Sequence, residues 1–213
     1  MQPIRDLAHV IAFVGIDGSG KTTQAQRLAT WLTSCSVQST YLAHDSLSGV
    51  KSILDTIALE DGYRDSLAML GEGAMRLSSA VVKLRSLLSA RPLFEAEGSF
   101  LVIDRYSYCQ YAAAQATSAS NEALLRRMFA CFPAPALTLL IDVPPEEASR
   151  RILLRGIDAD PIAFLRAFDR AYKSLPEASG FTVIDGNRPE ERVAESVRTA
   201  ILKRFPELRE VGA

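Results

Sequence analysis

The run Gly15-Ile16-Asp17-Gly18-Ser19-Gly20-Lys21-Thr22 leaves few folds open to this chain. It matches the pattern G-x-x-x-x-G-K-[ST], follows a strand-like run at 9–14 and leads into a stretch of helix formers, the context in which that pattern carries meaning. Gly15, Gly18 and Gly20 allow a tight turn whose backbone N–H groups point inward at an anion. The start of the next helix adds a field that favours phosphate. Lys21 sets a charge against the β and γ phosphates of a nucleoside triphosphate, and the Thr22 hydroxyl can ligate Mg²⁺. The segment reads as a phosphate-binding P-loop with ATP and Mg²⁺ as its cofactors. Gly15, Asp17, Gly18, Ser19, Gly20, Lys21, Thr22 and Thr23 are the expected contacts. Asp17 is less usual inside such a loop. It either closes a local Asx turn or presents a carboxylate to an acceptor or a sugar.

Short β-rich runs at 9–14, 37–43, 99–104, 136–142 and 181–185 alternate with longer segments of helical period. This alternation predicts an α/β fold: a mostly parallel sheet covered by helices on both faces, with ligands at the carboxyl ends of the strands. Four features fall at such ends: the P-loop, Ala43-His44-Asp45, Asp104-Arg105-Tyr106 and Asp142. The first helix is predicted from the P-loop through Leu28 and Leu32. A long helix is predicted from about 63 to 90, with Leu67, Leu70, Leu77, Val81, Leu84 and Leu88 on or near one apolar face and Pro92 marking its end. Pro144-Pro145, Pro161 and Pro189 each open a further helix. With 213 residues, no internal repeat and no low-complexity linker, one domain over 1–213 is expected.

A net charge of −1 and a pI near 6.2 argue against a global electrostatic drive toward nucleic acid or membrane. No run of about 18 apolar residues is present, so no transmembrane helix is predicted. Met1 to Ala8 lacks the apolar core of a signal peptide. Cys35, Cys109 and Cys131 are odd in number and have no paired spacing, which suits buried thiols in a reducing compartment. A cytoplasmic location is expected.

The segment from Phe13 to Gln24 resembles the opening of thymidylate kinases, and three further stretches agree in order. Val102-Ile103-Asp104-Arg105-Tyr106 resembles that family's DRY segment. Leu139 to Glu146, with Arg151, Arg155 and Gly156, resembles its strand and helix leading to a lid. Tyr172 and Val183-Ile184-Asp185 resemble its C-terminal third. The resemblance implies a P-loop NTPase three-layer sandwich, a five-stranded parallel sheet flanked by helices, with a short lid at about 150–161. It implies homodimers, and transfer of the ATP γ-phosphoryl to a nucleoside monophosphate, dTMP or a related pyrimidine nucleotide. Lys21 and Thr22 would serve ATP and Mg²⁺, with Asp104 supporting the metal or its water shell. Asp17 would contact the acceptor sugar and Arg105 the acceptor phosphate. Arg151 and Arg155 would reach phosphates when the lid closes. Gly186 and Asn187 would border the adenine. These roles suit phosphoryl transfer, which is mainly positioning and charge neutralisation.

The departures from the family pattern concern the acceptor. Thymidylate kinases normally carry an Arg-Glu-Pro-Gly-Gly-Thr-like segment after the second strand; here the stretch is His44-Asp45-Ser46-Leu47-Ser48-Gly49. Alanines 112–114 stand where an aromatic and a Gln are expected, with Tyr108, Tyr111 and Gln115 close by. Arg76, Lys83 and Arg85 compete for the basic position on the long helix, and the candidate acceptor contacts are Asp45, Arg76, Arg85, Arg105 and Tyr108. Asp45 opens an alternative: at the end of the second strand a carboxylate can act as general base for a hydroxyl acceptor, a nucleoside or another small metabolite. A third reading is a nucleotide-binding partner protein whose acceptor chemistry has decayed.

Overall fold

The computed structural model describes residues 4, 5, 7–43, 47–156 and 160–211. In chain order the elements are β1 (His9–Val14), α1 (Lys21–Ser34), β2 (Ser39–Leu42), α2 (Ser48–Glu60), α3 (Ser66–Ser89), α4 (Arg91–Phe94), β3 (Phe100–Asp104), α5 (Tyr108–Ala116) and α6 (Glu122–Phe129). They continue with β4 (Leu137–Asp142), α7 (Pro145–Leu154), α8 (Ile162–Ser174), a 3-10 turn at Pro176–Gly180, β5 (Phe181–Asp185), α9 (Glu190–Arg204) and α10 (Leu208–Val211). The strands make one 5-stranded parallel sheet in the order β2-β3-β1-β4-β5. The five predicted strands are therefore present. β2 is shorter than its predicted run because it lies at the sheet edge, paired only to β3 and half exposed.

β1 sits at the centre and is buried on both faces, as an all-parallel sheet requires. Its side chains alternate. Val10, Ala12 and Val14 join one core layer with Ala80 and Leu87 of α3, Ala112 of α5, Leu125 of α6 and Leu165 of α8. Ile11 and Phe13 join the other with Leu28 and Leu32 of α1 and Val197 and Ile201 of α9. Helices on both faces give the expected three-layer sandwich. Parallel strands put all their carboxyl ends at one edge of the sheet, and the P-loop, Asp104-Arg105 and Asp142 meet there. The predicted prolines stand at helix starts: Pro145 in the first turn of α7, Pro161 and Pro189 just before α8 and α9. Glu146, Glu147, Glu190 and Glu191 occupy first turns, where the helix dipole favours them. Among the described residues no helix is long and apolar enough to cross a membrane.

The predicted long helix differs in two respects. It breaks at Gly71, whose φ of 76° and ψ of 164° are outside helical space. Its buried face carries Met75, Ala80, Lys83 and Leu87, whereas Leu70, Val81 and Leu88 of the predicted face are exposed and Leu77 and Leu84 are only partly buried. The predicted stripe is thus split, with Leu77 and Leu84 packed against the edge of the core and Leu70, Val81 and Leu88 pointing outward, while Met75, Ala80, Leu87 and the Lys83 stem are buried. The break at Gly71 uses a backbone region open essentially to glycine alone. Gly71→Ala is expected to lower unfolding free energy by about 1–3 kcal/mol. Gly73→Ala, in the helical part with open space at its Cβ position, is expected to be neutral or stabilising. Urea denaturation of both variants checks this; equal effects would show that the kink carries no strain.

Candidate active site

The P-loop is shaped by lack of room. A side chain at Gly15 would place Cβ 2.6 Å from the Ile141 carbonyl oxygen, and one at Gly18 would place it 2.3 Å from that of Ala148. The loop is thus packed against the end of β4 and the start of α7. Gly20, at φ 94°, caps α1 in the left-handed region. Lys21 is the first residue of α1 and is almost fully buried. Its Nζ donates to the Ile16 carbonyl at 2.6 Å and to Ser19 Oγ at 3.4 Å, and lies 3.7 Å from Asp17 Oδ1. Burial pushes the Lys21 ammonium down to about 8, against the opposing pull of the Asp104 carboxylate.

Asp104 ends β3 and is 2% exposed. Its Oδ2 accepts from Thr22 Oγ1 at 2.5 Å and from Tyr41 OH at 3.4 Å. Its Oδ1 is buried with no hydrogen-bond partner among the described residues. A buried carboxylate oxygen left in that state is costly unless a cation or ordered water completes it. Thr22 and Asp104 therefore fit a hydrated Mg²⁺. No cluster of three or more His, Cys, Asp or Glu side chains among the described residues is arranged to hold a metal by itself. A cation here would draw most of its ligands from phosphate and water, as Mg²⁺ commonly does. The next residue, Arg105, has φ 63° and turns its guanidinium onto Asp17 Oδ1, forming an ion pair across the cleft mouth.

Two adjoining clefts of about 220 Å³ each open around the loop. Asp17, Lys21, Thr22, Arg105, Arg155 and Asp160 line the first. Ser19, Gln24, Arg151, Arg155, Gly186 and Arg188 are among those lining the second. Arg155 faces both. Arg151 Nη1 donates to the Gly186 carbonyl at 3.1 Å and its Nε to Glu147 at 2.8 Å, which fixes the side chain beside β5. The Asn187 N–H donates to Asp185 Oδ1, closing the turn after β5.

The structure does not bring every candidate acceptor contact to these clefts. Arg85 is exposed and lines a separate groove with Leu42, Ala43 and Leu93. Arg76 lies 3.7 Å from Glu72 on its own helix. Tyr108 is buried among Tyr106, Tyr111 and Phe181, and burial raises its phenol to about 12. His44, Asp45 and residues 157–159 of the expected lid lie outside the described residues. Sequence reasoning passed over Gln24, Tyr41 and Arg188. Only Arg188 had a signal, its place two residues after Gly186 at a strand end.

A thymidylate kinase family model matches residues 13–197. The chain is 30% identical over 203 residues to a probable thymidylate kinase of Pyrobaculum calidifontis, covering 93% of this chain and 98% of that protein. It is 32% identical over 206 residues to a thymidylate kinase of Dinoroseobacter shibae, covering 88% and 93%. A probable thymidylate kinase of Pyrococcus horikoshii is 32% identical over 149 residues, 70% of this chain and 71% of that one. The family match runs from the end of β1 into α9 and takes in the P-loop, Asp104-Arg105 and the α7 arginines, so the chain belongs to the thymidylate kinase family and is by that membership a nucleoside monophosphate kinase.

Proposed function

We propose that this protein transfers the γ-phosphoryl group of ATP to dTMP or a related pyrimidine nucleoside monophosphate. The observation that supports this most directly is the cleft in which Lys21, Thr22, Arg105 and Arg155 converge. Lys21 and the loop N–H groups hold the donor phosphates. Arg105 holds the acceptor phosphate, and Asp17, released from that arginine, meets the acceptor sugar. Arg151 and Arg155 reach the phosphates when a lid at about 150–161 closes, and closure brings charge and shielding from water. Thr22 and Asp104 hold Mg²⁺, which neutralises triphosphate charge. The Asp185–Asn187 turn borders the adenine. A cytoplasmic location, where thiols stay reduced, fits the free Cys35, Cys109 and Cys131.

The protein also works as a homodimer in this reading. α2 buries only Ala58 and leaves Val50, Ile53 and Ile57 exposed along one stripe. α3, packed beside it, leaves Val81 and Leu88 exposed. An apolar face spread over two adjacent helices is more than a solitary surface normally carries, and a two-fold copy of itself is the economical cover.

ADP release across a panel of nucleosides, nucleoside monophosphates and sugar alcohols is expected to be strongest with dTMP or a close relative; turnover confined to unphosphorylated acceptors would overturn the proposal. Asp45→Asn sharpens that test, because a phosphate acceptor is already ionised and needs little help from a base, whereas a hydroxyl acceptor would lose most of its kcat. Lys21→Ala is expected to lower kcat by at least about 100-fold, and near-normal turnover would remove the P-loop from the mechanism. In light scattering the protein is expected to run as a dimer and Ile53→Asp as a monomer. A wild-type monomer at micromolar concentration would rule the interface out.

A further inference from the structure

Lys83 lies on the face of α3 that packs on the sheet, with Ala80 and Leu87 one turn to either side, and it is fully buried. Lysines are rarely enclosed unless their ammonium meets a specific partner. Here Nζ donates to the backbone carbonyl of Asp104 at 3.3 Å. That carbonyl belongs to the peptide joining Asp104 to Arg105. The N–H of the same peptide, on Arg105, donates to the Phe13 carbonyl at 3.0 Å. One peptide plane is therefore gripped from two sides, by β1 through its N–H and by α3 through its C=O.

The backbone immediately beyond that peptide is strained. Arg105 adopts φ 63°, a left-handed conformation unfavourable for a residue with a side chain. The angle is measured from the gripped peptide. Holding that peptide while the chain turns left-handed carries the guanidinium to Asp17 rather than along the strand direction. The Asp104 side chain is held independently, by Thr22 and Tyr41. Of the three basic candidates on α3, Arg85 faces another groove and Arg76 lies by Glu72, so Lys83 alone reaches the end of β3.

We infer that Lys83 is a positioning residue for Arg105: its buried ammonium fixes the Asp104–Arg105 peptide and so presets the guanidinium at the P-loop before the acceptor arrives. The hydrogen bond is charge-assisted, which suits a clamp that must outlast the strain it holds. The inference rests on the proposed role of Arg105 toward the acceptor phosphate.

A double-mutant cycle tests it, with dTMP or the acceptor that the panel above identifies. Lys83→Met keeps the stem that fills the core and removes the donor. It is expected to lower kcat/KM for the acceptor by about 10- to 100-fold, the scale of a small misplacement. ATP affinity, read by fluorescent-nucleotide titration, is expected to hold within about threefold, and thermal unfolding to stay cooperative. In an Arg105→Ala background Lys83→Met is expected to cost no more than about twofold further, because its effect acts through the missing side chain. Lys83→Gln, a donor on a shorter arm, is measured alongside. It is expected to fall between the two and carries the test should the Met variant not fold. Equal losses from Lys83→Met in both backgrounds would make the residue merely structural and overturn the inference, as would no loss at all. An unimpaired Arg105→Ala would instead overturn the role of Arg105 itself, a distinct failure that removes the basis of the inference.

Discussion

Lys21 and Asp104 are opposite charges taken out of water at the same edge of the sheet, and the rest of the site is arranged around them. Burying either alone would be costly. Burial lowers the Lys21 ammonium to about 8, and the Asp104 carboxylate is among the groups that counter it. Asp104 in turn gathers elements that are far apart in sequence. Thr22 of α1 and Tyr41 of β2 reach its carboxylate, and Lys83 of α3 reaches its carbonyl. The central strands supply the rigid frame that this needs, since β1 and β3 pair in register from His9–Phe100 to Phe13–Asp104. The oxygen of Asp104 without a partner among the described residues is the point at which that network stays open to a cation.

The loop geometry depends on the same frame from the other side. Gly15 and Gly18 lie so close to Ile141 and Ala148 that any Cβ would meet backbone, which cannot move aside as a flexible side chain can. Phosphate binding and packing thus make the same demand on the sequence. The glycines that free the N–H groups for an anion are the ones that let β4 and α7 approach. α7 then leads from that contact to Arg151 and to Arg155 at its C-terminal end, so the packing of a glycine four residues before Thr22 helps to place both arginines at the clefts.

Much of this was legible in the sequence, and the physical reasons differ by element. The strands announced themselves because an all-parallel sheet buried on both faces needs continuous β-branched and aliphatic runs, as in Val10 to Val14 and Leu137 to Ile141. The P-loop and the Asp104-Arg105 end were legible because their chemistry needs particular residue types in a short span. The facing of α3 was not. Periodicity reports a stripe but not what covers it, and Leu70, Val81 and Leu88 form as good a stripe facing outward as inward. Nor was Lys83 distinguishable from Arg76 and Arg85. Three basic residues on one helix look alike until the helix is rotated against the sheet, and that rotation is set by small residues such as Ala80, which carry little signal.

The donor and acceptor sides differ in how their charges are supplied, and that difference explains where inference from sequence weakens. In the proposed reaction donor phosphates are met by backbone N–H groups and one lysine, all within eight consecutive residues, so local sequence specifies them. The proposed acceptor side draws on Arg105, which has a left-handed backbone and follows a peptide bonded to β1 and to a buried lysine 22 residues earlier in the chain. That arginine is paired with Asp17, a residue of the P-loop. In the proposed reaction, an anionic acceptor that takes Arg105 exchanges one carboxylate for another anion there and leaves Asp17 beside Lys21. The ion pair joins the end of β3 to the P-loop, so on the proposed roles an acceptor phosphate at Arg105 changes the charge that the loop presents.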